Sequence, residues 1–306
     1  MEPQYSNAEE FLAYLKKRSN WGRWGDDEDR GAINLVTEEK RVAAAKLVRS
    51  GRSVSLSRPL SAEPGGPNQR PMLHWMRRDS RDGIGIGFDF IGIDFHGRVT
   101  THIDALSHYW GETGMYNGRD PDKELTLDGA QWGSIETWGE GIITKGVLLD
   151  IPRYRGAPYV VVDKQVGGQE LEDVARAQGV TIEPGDAVAV YTGREAHARA
   201  TGDVPYHGTA TEPVPGLNPT CAQFFRENDV AVLVWDYLDA RPGLFGKGLT
   251  NHMCIPAFGM ALLDNALLEP LSEACAEEGH YEFMLTIAPL RVPGGTGSPV
   301  NPIALF

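Results

Sequence analysis

Between residues 145 and 236 the chain alternates short apolar runs with helix-forming stretches. Strand-like segments at 145–151, 186–192 and 230–236 are separated by helical patterns at 169–178, stopped by Gly179, and at 219–227, opened by Asn218-Pro219 as N-cap and first-turn proline. Interleaving of this kind requires helices to cover a sheet, so the class is α/β rather than all-β. The 36 Gly and 20 Pro among 306 residues call for many turns and few long helices, which disfavours a helical bundle.

Toward the amino terminus, Asn7 to Lys17 reads as a helix with Phe11, Leu12 and Leu15 on one face, followed by a Trp/Gly/Asp-rich loop from Trp21 to Gly31. Thr37 with Glu38 and Glu39 opens a second helix that stops before Gly51. Strict alternation over Ser53–Ser57 predicts a half-buried strand; residues 61–83 read as a long polar loop, and Phe88–Asp104 as a strand with a bulge at Gly92 or Gly97. No linker, composition break or internal repeat divides the chain. The expectation is a single domain over 1–306, with 1–50 as a helical extension packed on it.

The formal net charge is −13 and no polybasic segment offsets it, so nucleic acid and anionic membrane are poor partners. No apolar run approaches the ~20 residues of a spanning helix, and residues 1–10 have no apolar leader core, so a cytoplasmic location is expected. Cys221, Cys254 and Cys275 have no CxxC spacing and read as buried thiols. Gly83-Ile-Gly-Ile-Gly87 precedes a strand instead of joining strand to helix, which argues against a dinucleotide fingerprint, and there is no G-x-S-x-G elbow. Cys254, two residues from His252, points away from it in a helix and makes a poor Cys-His dyad. His197 and His207 read as surface or loop residues.

Three histidines fall within thirteen residues, in Asp94-Phe-His96-Gly-Arg98-Val-Thr100-Thr-His102-Ile-Asp104-Ala-Leu-Ser-His108. On a strand, His96, Arg98, Thr100, His102 and Asp104 share one face. Two imidazoles and a carboxylate without thiolate suit Zn²⁺ or Mn²⁺, and three protein ligands leave positions open for a water that the ion acidifies. The alternative is a polar sheet face on which each histidine merely hydrogen-bonds.

Thr101-His102-Ile-Asp104-Ala-Leu-Ser-His108 resembles the signature of the metal-dependent cyclase-like hydrolases, the family of bacterial kynurenine formamidase and isatin hydrolase, whose pattern is His-x-Gly-Thr-His-x-Asp-x-Pro-x-His. Gly185-Asp186 to Thr192-Gly193 and Ala288 to Pro299 resemble the family's "GD…TG" strand and its closing strand with a Gly-rich loop. The likeness covers roughly residues 50–306, and Trp21–Asn34 looks like the head of a longer subgroup. Three positions depart from the pattern. Arg98 stands at the first His, Thr100 at the Gly and Leu106 at the Pro, and His96 is the substitute for the missing ligand.

The resemblance implies a swivelling β/β/α fold with a mixed sheet, a barrel-like core and outer helices. It implies a metal held by His96, His102 and Asp104 together with a later pair, His252 and Asp264, where the family has Glu at the second place. His108 becomes the general acid/base. The implied reaction is hydrolysis of an amide, ahead of an ester, in a small and perhaps cyclic or aromatic substrate, by a homodimer or homotetramer; a metal-dependent cyclase or lyase, or a non-catalytic binding protein, is the alternative. Arg98 is expected to face an anionic substrate group, with Trp24, Trp75, Trp110 and Tyr116 as candidate pocket walls.

Overall fold

The computed structural model describes Tyr5 and residues 7–66, 68–202, 213–237, 239–240 and 250–306. Its strands are β1 (Ser53–Ser55), β2 (Leu73–Arg81), β3 (Ile84–Gly92), β4 (His102–Asp104), β5 (Leu125–Thr126), β6 (Gly129–Ala130), β7 (Ile142–Asp150), β8 (Ala187–Tyr191), β9 (Val232–Trp235), β10 (Ala261–Asp264), β11 (Glu282–Ile287), β12 (Gly297–Pro299) and β13 (Ile303–Leu305). Nine of them form one mixed sheet in the order β1-β13-β11-β7-β8-β9-β10-β4-β12. β7, β8, β9 and β10 run parallel, and the strands on either side are antiparallel. This is the expected α/β architecture with a mixed sheet and outer helices.

The parallel strands are continuous apolar runs because both faces are covered. Val188, Val190, Leu233, Val234, Leu262 and Leu263 are all fully buried. The crossover helix Gly168–Gln178 turns Leu171 and Val174 inward and ends at Gly179, whose φ of +69° is the left-handed cap that the sequence signals. The helix after β8 spans Arg194–Thr201, and the one before β9 spans Cys221–Glu227. The Asn218-Pro219 pair is not the cap it was read as: Asn218 lies three residues before that last helix, whose N-cap is Thr220, and its Oδ1 accepts from the Thr220 amide at 2.9 Å and from the Thr220 hydroxyl at 2.6 Å.

The two early helices form as their caps predict. Asn7 Oδ1 accepts from the Glu10 amide at 3.0 Å ahead of Ala8–Lys17, and Thr37 Oγ1 accepts from the Lys40 amide ahead of Glu38–Ala45. The loop between them is tied to the segment following His252. Trp21 Nε1 donates to the Pro256 carbonyl and Asn20 Nδ2 to the Phe258 carbonyl. All three cysteines are buried and unpaired with one another. No described helix is long and apolar enough to cross a membrane.

Two expectations about the region before the motif are corrected. Residues 73–81, read as loop, are strand β2, paired along its whole length with β3 in a separate hairpin. The continuous strand read over Phe88–Asp104 is two strands, since β3 ends at Gly92 and β4 begins at His102. Residues 93–101 between them are irregular, so strand alternation cannot be what aligns His96 and Arg98 with His102.

Candidate metal centre

β4 fixes the centre of the site. Its register against β10 sets His102 opposite Asp264, and its register against β12 sets Asp104 opposite Gly297. His102 and Asp104, two residues apart, share a face, and directly opposed residues share it as well, so Asp264 is delivered beside His102. The position is the carboxyl end of the parallel strands, next to where the sheet changes direction, which is where open α/β sheets place their sites.

His96 arrives from the irregular segment instead of along a strand. Its Nδ1 lies 3.0 Å from Asp104 Oδ1, and its Nε2 lies 2.9 Å from Thr296 Oγ1. The approach needs a bare backbone at Gly297, where a Cβ would stand 2.8 Å from the His96 ring and 2.6 Å from the Ile103 carbonyl oxygen. The segment is clamped from below. Asn265 Nδ2 donates to the carbonyls of Gly97 (2.7 Å) and Thr100 (3.2 Å), and the buried Arg194 donates to the Arg98 carbonyl (2.7 Å) and to Asn265 Oδ1 (2.9 Å).

His252 enters from the short helical turn Asn251–Met253. The helix Cys254–Phe258 follows and is capped by Gly259 with φ +65°, after which the chain runs into β10. His252 Nε2 is 3.6 Å from Asp264 Oδ2, while its Nδ1 lies 2.9 Å from Asp239 Oδ2. Asp239 is in turn fixed by the Asn251 amide (2.6 Å) and the Thr250 hydroxyl (3.0 Å). On the other side, Trp235 Nε1 donates to Asp264 Oδ1. Asp239 and Trp235 hold His252 and Asp264 in place from outside the centre, a role no local pattern announces.

Two groups of ligand atoms result, His96–His102–Asp104 and Asp104–His252–Asp264, the atoms of each lying within 4.8 Å of one another. Asp104 belongs to both. Its carboxylate is fully buried; His96 Nδ1, 3.0 Å away, is not aligned for a hydrogen bond, and neither oxygen receives one. A buried oxygen without a donor costs roughly 1–3 kcal/mol, and more when charged, so the arrangement calls for a cation. His102 Nε2 stands 3.4 Å from Asp104 Oδ1, and ligands held about 2.1 Å from one ion are separated by about 3.0–3.4 Å. The histidine tautomers agree, because His102 Nδ1 is engaged by the Thr100 carbonyl at 2.9 Å and His252 Nδ1 by Asp239, which leaves both Nε2 atoms facing the carboxylates. The donor set therefore fits a metal.

His108 stacks on His96 with ring centroids 3.9 Å apart, its Nε2 3.8 Å from Asp104 Oδ1. Burial and the neighbouring imidazoles of His96, His252 and His102 outweigh Asp104 and push its pKa down to about 4. At neutral pH it is a free base. His252 goes the other way. Burial lowers it, but the hydrogen bond to Asp239 and the proximity of Asp264 dominate and raise it to about 10. Burial pushes Asp104 up, but the imidazoles of His102, His108 and His96 win and hold it below the ordinary carboxylate range.

The sign for His252 gives a test. With a folded pKa raised from 6.5 to about 10, the metal-free protein carries an imidazolium at neutral pH, and a metal at Nε2 must displace that proton. Metal uptake near neutral pH is expected to release about one proton from this residue, with apparent affinity climbing as pH rises toward 10. Calorimetric titration in two buffers of different ionisation enthalpy measures it; a binding heat independent of buffer would count against His252 as a ligand.

The candidate pocket aromatics separate. Tyr116 is core, fully buried with its hydroxyl donating to the Asn20 carbonyl and its ring stacked on Trp132, because the turn carrying it packs under the helix after His252. Trp75 stands on the exposed hairpin, stacked on Phe90 at 4.8 Å. Trp24 packs against the main core with the Arg23 guanidinium over its ring. Trp110 is exposed, two residues past His108. The rings beside the ligands are Phe95, 4.4 Å from His96, and Tyr109, 5.6 Å from His252; each immediately neighbours a histidine of the motif, a placement not read from the sequence. His197 lies half-buried in the helix after β8, its ring against Tyr159. His207 lies outside the described residues.

An α/β fold whose mixed sheet delivers a buried histidine–carboxylate cluster at the ends of its parallel strands defines a class of candidate metalloproteins. The cyclase family model matches residues 54–240, and the chain belongs to that family. A crystal structure of a novel cyclase is 30% identical over 95% of this chain and 99% of its own, with a TM-score of 0.83. More distant likenesses in fold are an isatin hydrolase bound to the product analogue thioisatinate (16% identity, 88% and 99% coverage, TM-score 0.57) and isatin hydrolase A from Ralstonia solanacearum (18%, 88% and 97%, 0.55). No curated protein matches the chain.

Proposed function

We propose that the protein is a metal-dependent hydrolase that cleaves the C–N bond of an amide, in a small molecule of cyclic or aromatic character, with an ester as the secondary substrate class. The observation that carries this reading is the Asp104 carboxylate, buried without a donor at the meeting point of two ligand groups. His96, His102, Asp104, His252 and Asp264 would hold Mn²⁺ or Zn²⁺. Bound there, the ion supplies acidification of water and polarisation of the scissile carbonyl. The isatin hydrolases are relatives in fold and motivate a ring amide as the first substrate to try.

The chain's own groups do the remaining work. His108, unprotonated at neutral pH, accepts a proton from the attacking water at its imidazole and returns it to the leaving nitrogen. The stack on His96 keeps its ring edge toward the carboxylates. Asp239 holds His252 by Nδ1, so that Nε2 stays turned inward. Phe95 and Tyr109 place apolar surface next to the ligands, suited to a flat ring.

Turnover of a formamide, lactam and lactone panel by protein loaded with Mn²⁺ or Zn²⁺, run in ¹⁸O-labelled water, tests the proposal. Label in the product acid supports hydrolysis. Turnover without label would replace it by a lyase or ring-closing reaction on the same scaffold. Within the ligand set, His96→Ala is expected to weaken metal binding about tenfold or more, whereas Arg98→Ala leaves affinity near that of the wild type. Equilibrium dialysis of both variants decides between them; metal loss confined to Arg98→Ala would reverse the assignment.

A further inference from the structure

Asn265 follows Asp264 directly at the end of β10, fully buried and in the left-handed conformation with φ +57°. Few residues other than glycine enter that region, and asparagine is among those that do so most readily. At this bend both its side chain and its carbonyl meet residues 97–101, the irregular stretch between His96 and His102. Nδ2 donates to the Gly97 carbonyl at 2.7 Å and to the Thr100 carbonyl at 3.2 Å, and the Asn265 carbonyl accepts from Thr101 Oγ1 at 2.8 Å. Arg194 takes the Arg98 carbonyl at 2.7 Å and closes the circuit on Asn265 Oδ1 at 2.9 Å. Four of the five residues between the two imidazoles, at positions 97, 98, 100 and 101, are thus tied to this pair.

The ties matter because an irregular stretch has no ladder to hold it, and each residue fixed there loses backbone freedom. A ligand carried on such a stretch is placed only as well as the contacts that pin it. The Thr100 carbonyl has a second task. It is the acceptor that engages His102 Nδ1 at 2.9 Å and so leaves Nε2 toward Asp104.

We infer that Asn265 is a positioning residue for the metal centre: its amide, by holding residues 97–101, sets where His96 stands and which nitrogen His102 offers, while its backbone carries Asp264. The inference rests on the metal-binding reading proposed above. The position calls for two donors toward carbonyls and one acceptor toward a guanidinium, an inventory that a primary amide meets and a carboxylate does not. Arg194 is the other half of the device and is itself anchored. Its amide and guanidinium donate to Asp236 Oδ2 and to the Asp236 carbonyl, both at 3.1 Å, and the Asp236 carboxylate also takes the Thr192 and Gly193 amides at 3.0 Å. Thr192 and Asp236 stand just past the ends of β8 and β9, so the placement of His96 is referred back to the buried parallel strands.

Asn265→Gly and Asn265→Asp, made in the full chain, test the role. Glycine accepts the same φ but has no amide, and aspartate keeps the shape and the acceptor for Arg194 while it cannot donate to the two carbonyls. Equilibrium dialysis with Mn²⁺ or Zn²⁺ should give both variants an affinity about 10- to 100-fold below that of the wild type. In the metal-free proteins, long-range ¹H–¹⁵N correlation spectra should show His102 as the single Nδ1–H tautomer in the wild type and as a mixture of tautomers in the variants. An amide that only stabilised the fold would lower the unfolding temperature and move neither readout. Folded variants with wild-type affinity and an unchanged His102 tautomer overturn the inference, as does a wild type whose His102 carries its proton on Nε2. Absence of metal binding by the wild type would instead strike the metal-centre reading, and the tautomer comparison, made without metal, still decides the role of Asn265.

Discussion

Replacing Asp104 by alanine should remove specific metal binding altogether and bring amide hydrolysis to background. Every other ligand candidate serves one of the two groups, while Asp104 serves both. Its loss leaves His102 and His96 on one side and His252 with Asp264 on the other, with no anion joining them. Elemental analysis after exhaustive desalting reads the first consequence. The second is thermal, because an ion that binds only the folded state at about a hundred times its dissociation constant stabilises by about 2.7 kcal/mol. Added Mn²⁺ or Zn²⁺ should raise the unfolding temperature of the wild type by several degrees and leave that of Asp104→Ala unmoved. Full metal retention by the folded variant would eliminate the site.

His108→Ala is expected to behave in the opposite manner, keeping its metal and losing turnover. His108 lies outside both ligand groups, stacked on His96, and removing a general acid/base typically costs about 10²–10⁴-fold in rate. The loss should shrink for an activated ester, whose leaving group departs without needing a proton. Metal content and kcat measured together on an amide and an activated ester separate this role from ligation. An amide rate equal to the wild type would pass the proton-transfer role to Asp264 or to solvent. Loss of the ion would instead make His108 a ligand.

How far the sequence was legible follows from the kind of signal each element carries. The helix Gly168–Gln178 and the flanking strands were readable because their periodicity, caps and terminal glycine are local, and the structure uses them locally. His102 and Asp104 were readable because two residues on any strand share a face. The hairpin was not recovered because a strand exposed on both sides needs no apolar alternation, and Arg77-Arg78-Asp79-Ser80-Arg81 resembles a loop. The missed clue was Asp82-Gly83, whose φ values of 53° and 81° form the tight turn that this pair favours between strands. His96 reached the ligand set by a route other than the strand that first suggested it. Asp239, Asn265 and Arg194 carry no motif at all; their roles exist only once segments far apart in sequence have met.

The position of β4 in the sheet also dictates when the centre can exist. Its two strand neighbours are β10, some 160 residues later, and β12, nearly 200 residues later. Loop closure over such spans is slow compared with local helix formation. His102 and Asp104 therefore wait, uncoordinated, while the parallel strands assemble, and His96 cannot dock before the backbone at Gly297 lies alongside. With a metal bound as proposed, capture of the ion would fall at the end of folding, where it would latch the β4 edge onto parallel strands already built. A chelator present during refolding should stall the chain with its helices formed and the β4 edge still open, a species that a chelator added to the finished protein would reach only by slow unfolding.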